Sequence, residues 1–344
     1  MRLLPILSLA SAVIAVFASP GRAESTDGVR LSGPFVHANL AVYFVHSRSA
    51  EGPVPLTLQE ALAKGVVEVR ETGSVNELTI ENLGKEEVFV QSGDIVKGGQ
   101  QDRVLTVSLL LSPRSGRISI ASFCVEQGRW SARGAEDVTK FASAEATVPS
   151  REAKIAMKGP LSGAAGDLPA AATGNRQLRM WENVAQMQNR LAASLSAPVA
   201  APSSLTSLPL ALENDKLKSA RSDYVAALRA AGEKDDDIVG FVFAVNGKLN
   251  SADVYPSNGL FRKMWGKLLD ASATEAIADA GGEAKAPPTA AAVTDFLKTA
   301  EQGKPSDSKL TKEVSLETRD GDVALYFETR RAGGGFVHRN YLAK

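Results

Sequence analysis

Leu105, Val107, Leu109 and Leu111 place apolar side chains on one face of a strand, and the short connection Ser112-Pro113-Arg114-Ser115-Gly116 leads directly into a second strand candidate, Arg117 to Val125. Two strands joined so briefly pair antiparallel, because a parallel return needs a crossover of about a dozen residues. That pairing carries the strand end at Arg103 toward the end at Cys124 and Glu126. Upstream, Val67 and Val69, Leu78 and Ile80, and Val88 and Val90 recur at period two between turn residues, the pattern of strands burying one face. Phe35 to Ser47 reads as a first strand whose run Ala41 to Val45 is covered on both faces. Thr57 and Glu60 form a capping box that starts a short helix over Leu58 to Lys64, ended by Gly65. Residues 31–135 therefore predict a strand-rich unit, an antiparallel β sandwich or partly closed barrel.

The pattern weakens over 131–172, where Ala, Gly and Pro accumulate around one short helix near Glu152 to Met157. A longer helix follows over Arg176 to Ala193, with Met180, Val184, Met187 and Leu191 on one stripe and Trp181 expected in the core. Residues 136–210 thus read as an irregular excursion, a helix and a linker over the Ala-, Ser- and Pro-rich residues 197–210. From 211 to 344 helices alternate with a few strands. The buried stripe Leu217, Ala220, Tyr224, Leu228 and Ala231 marks a helix over Asp215 to Ala231. Ile238 to Val245, apolar on both faces, marks a central strand that turns at Asn246-Gly247 into Lys248 to Val254. Helices line Phe261 to Leu268 and Val293 to Ala300, and a hairpin joins Leu310–Arg319 to Val323–Arg330. The class is α+β, a strand-rich N-terminal part with a C-terminal mixed helix and strand unit.

The N-terminus carries Arg2, an apolar run from Leu3 to Ala18 interrupted by Pro5, and a small-residue exit with Gly21 and Ala23. This is the pattern of a cleavable secretory signal over residues 1–23, and the run falls short of a membrane span. Export predicts a soluble protein, periplasmic or secreted, with no integral span after cleavage. Cleavage takes Arg2 and Arg22 from the 39 basic residues and none of the 39 acidic ones, leaving a net charge of about −2. Such a charge gives no pull toward nucleic acid. Cys124 is the sole cysteine, so no intramolecular disulfide forms.

Polar chemistry concentrates in two stretches. Asp94, Lys97, Gln101 and Arg103 surround Gly98-Gly99 at the mouth of the apolar strand, and Cys124, Glu126, Arg129 and Trp130 sit at the end of the next one. The strand pairing brings both stretches to one rim, which reads either as a ligand or interaction site or as an ionic brace of Arg103 or Arg129 with Glu126. Asp94 and Glu126 are the acid and base candidates if the protein is an enzyme, with Arg103 or Arg129 steadying an anion. Cys124 reads as a small buried hydrophobe rather than a nucleophile, and Trp130 as a half-exposed ring able to stack on a ligand.

Other chemistries find little support in the spacing. The glycine turn lacks the GK[ST] ending of a phosphate loop. His37, His46 and His338 show no metal-ligand spacing, and Asp235-Asp236-Asp237 reads as a solvated turn, so neither metal nor cofactor is expected. The partner is an unknown protein or small ligand.

The stretches LTLQEALAKGVVEVRETGSVNELTIENL (56–83), VFVQSGDIVKGGQQDRVLTVSLLL (88–111), FCVEQGRW (123–130) and GFVFAVNGKLNSADVYPSNGLFRKMW (240–265) together resemble an uncharacterised family, the ARG and rhodanese-phosphatase-superfamily-associated protein domain, ARPP-1. The resemblance spans most of residues 35–275. The family pattern has Gly-Glu where this chain has Gly93-Asp94, and Gln-Asn-Arg where it has Gln101-Asp102-Arg103. The resemblance implies no activity, but it places both polar stretches and Trp130 at motif positions. The leading expectation is an exported binding or protein-interaction module; the alternative is a hydrolase using Asp94 or Glu126.

Overall fold

The computed structural model describes residues 29–134, 137–158, 170–281 and 285–344; the expected secretory signal lies outside them. The first half of the chain runs β1 (Arg30–His37), β2 (Leu40–His46), β3 (Leu56–Thr57), α1 (Leu58–Ala63), β4 (Val67–Glu71), β5 (Glu77–Asn82), β6 (Val88–Val90), β7 (Asp94–Gly98), β8 (Arg103–Leu105), β9 (Leu109–Leu111), β10 (Gly116–Cys124) and β11 (Phe141–Thr147). It continues through α2 (Arg151–Met157), α3 (Ala170–Leu195), α4 (Leu208–Leu212), α5 (Asp215–Glu233), β12 (Ile238–Val245), β13 (Lys248–Val254), α6 (Asn258–Ala278), α7 (Ala290–Ala300), β14 (Lys304–Lys309), β15 (Val314–Asp320), β16 (Ala324–Arg331) and β17 (Phe336–Ala343). The fold is α+β with a strand-rich N-terminal region, as the periodicity predicts.

The largest sheet has the order β1-β2-β12-β13-β17-β16-β15-β14, antiparallel throughout. Every residue of β12 is buried because helices cover both faces. Phe241 and Phe243 pack with Phe261 and Trp265 of α6 on one side, while Val239, Val242 and Ala244 meet Val293 and Phe296 of α7 on the other. Asn246 and Gly247 take positive φ, 51° and 74°, in the tight turn to β13. The hairpin β1–β2 heads the stretch 31–135, yet β2 is hydrogen-bonded to β12 in this sheet.

The remaining strands form a six-stranded sheet, β11-β7-β8-β10-β5-β4, and a three-stranded one, β3-β6-β9. Both contribute to one core: Val69, Ile80, Val90, Val96, Leu105, Leu111 and Ile120 pack together with Leu58 of α1 and with Leu316, Phe327 and Leu342 of the large sheet. The capping box forms as predicted, Thr57 Oγ1 accepting from the Glu60 amide and Glu60 returning a carboxylate to the Thr57 amide.

Four expectations need correction. Phe35 to Ser47 is a hairpin rather than one strand, because Ala38 takes φ 48° and turns the chain. The strand expected from Leu105 to Leu111 is broken at Thr106–Ser108: the Thr106 hydroxyl bonds the Ala121 carbonyl, and the Ser108 hydroxyl accepts from the Ser92 amide. Residues 131–172 hold the strand β11, which pairs with β7. The linker expected over 197–210 ends inside α4, capped by Ser207.

The broken strand has a structural consequence. β8 pairs with β10 only through Arg103–Leu105 opposite Cys124–Ser122. Beyond that point the chain diverges to pair β9 with β6, whereas the earlier part of β10 pairs with β5. The two arms of one hairpin therefore belong to different sheets, and a cleft opens between them.

Candidate functional site

The β8–β10 register sets Arg103 directly opposite Cys124, so the two polar stretches do share a rim. Arg103 is fully buried and donates from Nη1 to Cys124 Sγ at 2.8 Å and to Gln101 Oε1 at 3.3 Å. Its Nη2 reaches Glu71 Oε2 at 3.4 Å. Trp130, 48% exposed, lies with its ring 5.6 Å from this guanidinium and caps it from solvent. Two further arginines close the rim. Arg129 donates from Nε to Glu126 Oε2 at 2.7 Å and to the carbonyls of Gly98, Gly99 and Ser131. Arg133 donates to both oxygens of Asp102, at 2.9 and 3.3 Å.

Asp102 and Glu126 are both fully buried. Asp102 also accepts from the Gly98 amide and the Ser207 hydroxyl, each at 2.8 Å. Glu126 accepts from the Asp102 amide at 3.2 Å and from the Ser204 hydroxyl. Gly99 is required here: at φ +55° its position leaves no room for a Cβ, which would lie 2.2 Å from Phe141 Cζ and 2.8 Å from Glu71 Oε1. Buried charge is tolerated because Glu71, Asp102 and Glu126 face Arg103, Arg129 and Arg133 with hydrogen bonds on both sides. Burial pushes the Cys124 thiol up to about 11, Arg103 opposing and the Glu71 and Glu126 charges adding to the rise. The thiol is thus neutral and enclosed.

Of the residues singled out from sequence, Gln101, Arg103, Cys124, Glu126, Arg129 and Trp130 come together. Asp94 and Lys97 do not join them. Asp94, at the other end of β7, accepts from Lys267 Nζ of α6 at 2.7 Å and from the Gln91 amide at 2.8 Å. Lys97 meets both carboxylate oxygens of Glu213 at 2.8 Å. Glu71, Asp102, Arg133, Ser204 and Ser207 complete the rim without a local signal that marks them; Asp102 alone lies inside one of the two polar stretches.

The cleft between the hairpin arms begins beside this rim and runs along β10. Its volume is about 570 Å³, within the range of ligand pockets. Leu110, Ile118, Ile120 and Phe123 supply apolar walls, and Arg114, Arg117 and Lys312 stand along it. Two buried polar atoms lining its inner end, Ser122 Oγ and Asn76 Oδ1, have no hydrogen-bond partner. A second hollow of about 690 Å³ lies between residues 47–51 and Phe336–Tyr341, but no such orphaned atom lines it.

A closed polar array occupies the core nearby. His338 bonds Ser108 Oγ through Nδ1 and Asp253 Oδ1 through Nε2, each at 3.0 Å. Lys158 Nζ donates to Asn340 Oδ1 at 2.6 Å and sits 4.1 Å from the centre of the Phe327 ring. Burial pulls the Lys158 ammonium down to about 7, Asp253 opposing. The space around it is about 10 Å³, room for one water at most. Elsewhere His46, Asp235 and Asp237 offer ligand atoms within 4.8 Å of one another, a long-range meeting that spacing alone does not reveal. Arg30 Nη2 already bonds both His46 Nδ1 and Asp237 Oδ2 at 2.7 Å.

No curated protein and no solved structure matches the chain. One family model does, over residues 28–342, nearly the full length and including both polar stretches and the cleft. The chain therefore belongs to the ARPP-1 family, the ARG and Rhodanese-Phosphatase-superfamily-associated Protein domain.

Proposed function

We infer that the protein is an exported binding module whose ligand occupies the cleft between the arms of the β8–β10 hairpin, with the adjoining rim holding those arms in place. The observation that carries this reading is the pair of buried, unpartnered atoms Ser122 Oγ and Asn76 Oδ1 facing a cleft large enough for a ligand. An orphaned buried polar group costs about 1–3 kcal/mol, which a ligand donor can recover. Arg114 and Lys312 have no carboxylate partner among the described residues and outnumber Glu313, which accepts from the Ser112 hydroxyl, so the mouth favours an anion over the apolar floor. A hydrolase built on Asp94 and Glu126 finds less support, since each carboxylate is buried and already bonded by a cation and a backbone amide.

The amphipathic anion 8-anilinonaphthalene-1-sulfonate tests the cleft. Saturable fluorescence enhancement is expected at native pH, and the double variant Arg114→Glu, Lys312→Glu is expected to weaken it about tenfold with an unchanged melting temperature. Equal affinity in both proteins would place the dye elsewhere and remove the support for this cleft. Export rests on the N-terminal pattern of Arg2, the apolar run and the small-residue exit. In the described residues no helix is long and apolar enough to cross a membrane. Protein recovered from the cell envelope or medium is expected to lack residues 1–23 by intact mass; retention of those residues there would refute cleavage.

A further inference from the structure

We propose that the cleft takes an extended peptide, added as a strand along the open edge of β10 and carrying acidic groups to the basic mouth. The proposal rests on the binding reading above and names the class of ligand. β10 has a partner on both sides only at its C-terminal end. Cys124, Phe123 and Ser122 lie opposite β8, whereas residues 116–121 pair with β5 on one side and with no strand on the other. β9, across the cleft, likewise pairs on one side only, with β6.

The register fixes which backbone groups face the opening. The Ser122 amide donates to the Asn76 carbonyl on the β5 side, while the Ala121 carbonyl accepts from the Thr106 amide on the cleft side. In an antiparallel ladder these directions alternate residue by residue. The backbone groups of Ser119 and Arg117 therefore point into the cleft, in line with the last bond made by Thr106. An incoming strand continues that ladder where the chain's own strand leaves it. This is β-strand addition, in which main-chain bonds give affinity and alternate side chains fill pockets. Ile118, Ile120, Leu110 and Phe123 provide apolar contact, Asn76 Oδ1 accepts and Ser122 Oγ accepts or donates at the inner end, and Arg114 and Lys312 meet carboxylates. Gly116, Arg117 and Ser119 are exposed, so the edge is accessible.

The acetylated hexapeptide EVTVTE, titrated against the full mature protein by isothermal calorimetry, tests the proposal. Binding is expected together with slowed amide exchange at Arg117 and Ser119. The same peptide N-methylated at alternate residues, which removes main-chain donors and keeps the side chains and charge, is expected to bind at least tenfold more weakly. Ser119→Pro deletes one donor on the cleft side without touching the β5 ladder and is expected to lower peptide affinity about tenfold. Cooperative thermal unfolding of the variant shows that it folds. Equal binding of the methylated peptide, or unaltered exchange at Arg117 and Ser119 on saturation, overturns strand addition while leaving a small-anion cleft intact. Failure of the hexapeptide to bind, alongside retained dye binding, likewise overturns it; failure of both ligands overturns the binding reading itself.

Discussion

Asp102→Ala is expected to destabilise the protein by about 3–5 kcal/mol, read as a fall in the urea midpoint at unchanged slope. Asp102 is buried and accepts from the Gly98 amide, from two nitrogens of Arg133 and from Ser207. Removing it takes the Asp102 carboxylate from the buried Arg133 guanidinium and the acceptor from the Gly98 amide, and each loss leaves a group whose desolvation is already incurred. Asp102→Asn retains an acceptor for the Gly98 amide and is expected to lose less, roughly half as much, since only the charge is missing. Trp130→Ala serves as the contrast. Half exposed over Arg103, the ring contributes about 0.5–1 kcal/mol. A loss below about 1 kcal/mol for Asp102→Ala would show that the rim does not clamp the hairpin.

Lys158→Met is expected to change sign with pH. In the unfolded chain the ammonium keeps its proton up to its ordinary value of 10.5, whereas in the folded protein it does so only to about 7. Between those values the unfolded state binds more protons, so stability rises with pH; below 7 the full cost of enclosing the charge is present. The difference of 3.5 pH units corresponds to at most about 5 kcal/mol, and relaxation around the site reduces it to roughly 3. Methionine avoids this cost but leaves Asn340 Oδ1 without its donor, a loss of about 1 kcal/mol. The variant is thus more stable than the wild type by roughly 2 kcal/mol at pH 6 and less stable by about 1 at pH 10.5, with a crossing between. Denaturant curves on both proteins across this range check it; a constant difference would mean that Lys158 titrates normally in the fold.

Local signals are legible in the sequence where one residue type has one strong reason to be there. Thr57 and Glu60 satisfy each other's amides, Asn246-Gly247 tolerates positive φ, and the fully apolar Ile238–Val245 can only be interior. β11 escaped because Phe141-Ala-Ser-Ala-Glu-Ala-Thr has weak strand propensity and is held by β7 rather than by its own pattern. β14, with Lys304, Pro305, Asp307 and Lys309, looks like a solvated loop and is an edge strand. β17 mixes His338, Arg339 and Asn340 into a buried strand whose polar groups find partners only in three dimensions. At the rim the pairing of Arg103 with Cys124 followed from one tight connection, but Glu71, Arg133, Ser204 and Ser207 arrive from other parts of the chain. The cleft itself depends on the strand leaving its neighbour after Leu105, which alternation through Leu111 conceals.

The first hairpin of the chain docks on β12, and the last strand, β17, lies inside the same sheet between β13 and β16. During synthesis the edge of β2 opposite β1 therefore stays open until residue 245 has been made, and the sheet closes only when β17 arrives. Until β12 arrives β2, apolar along most of its length, is paired with β1 alone, so the nascent protein depends on whatever shields that open edge during synthesis. A chain stopped short of β17 ends with β13 and β16 both lacking their middle neighbour, a species made for proteolysis rather than partial service.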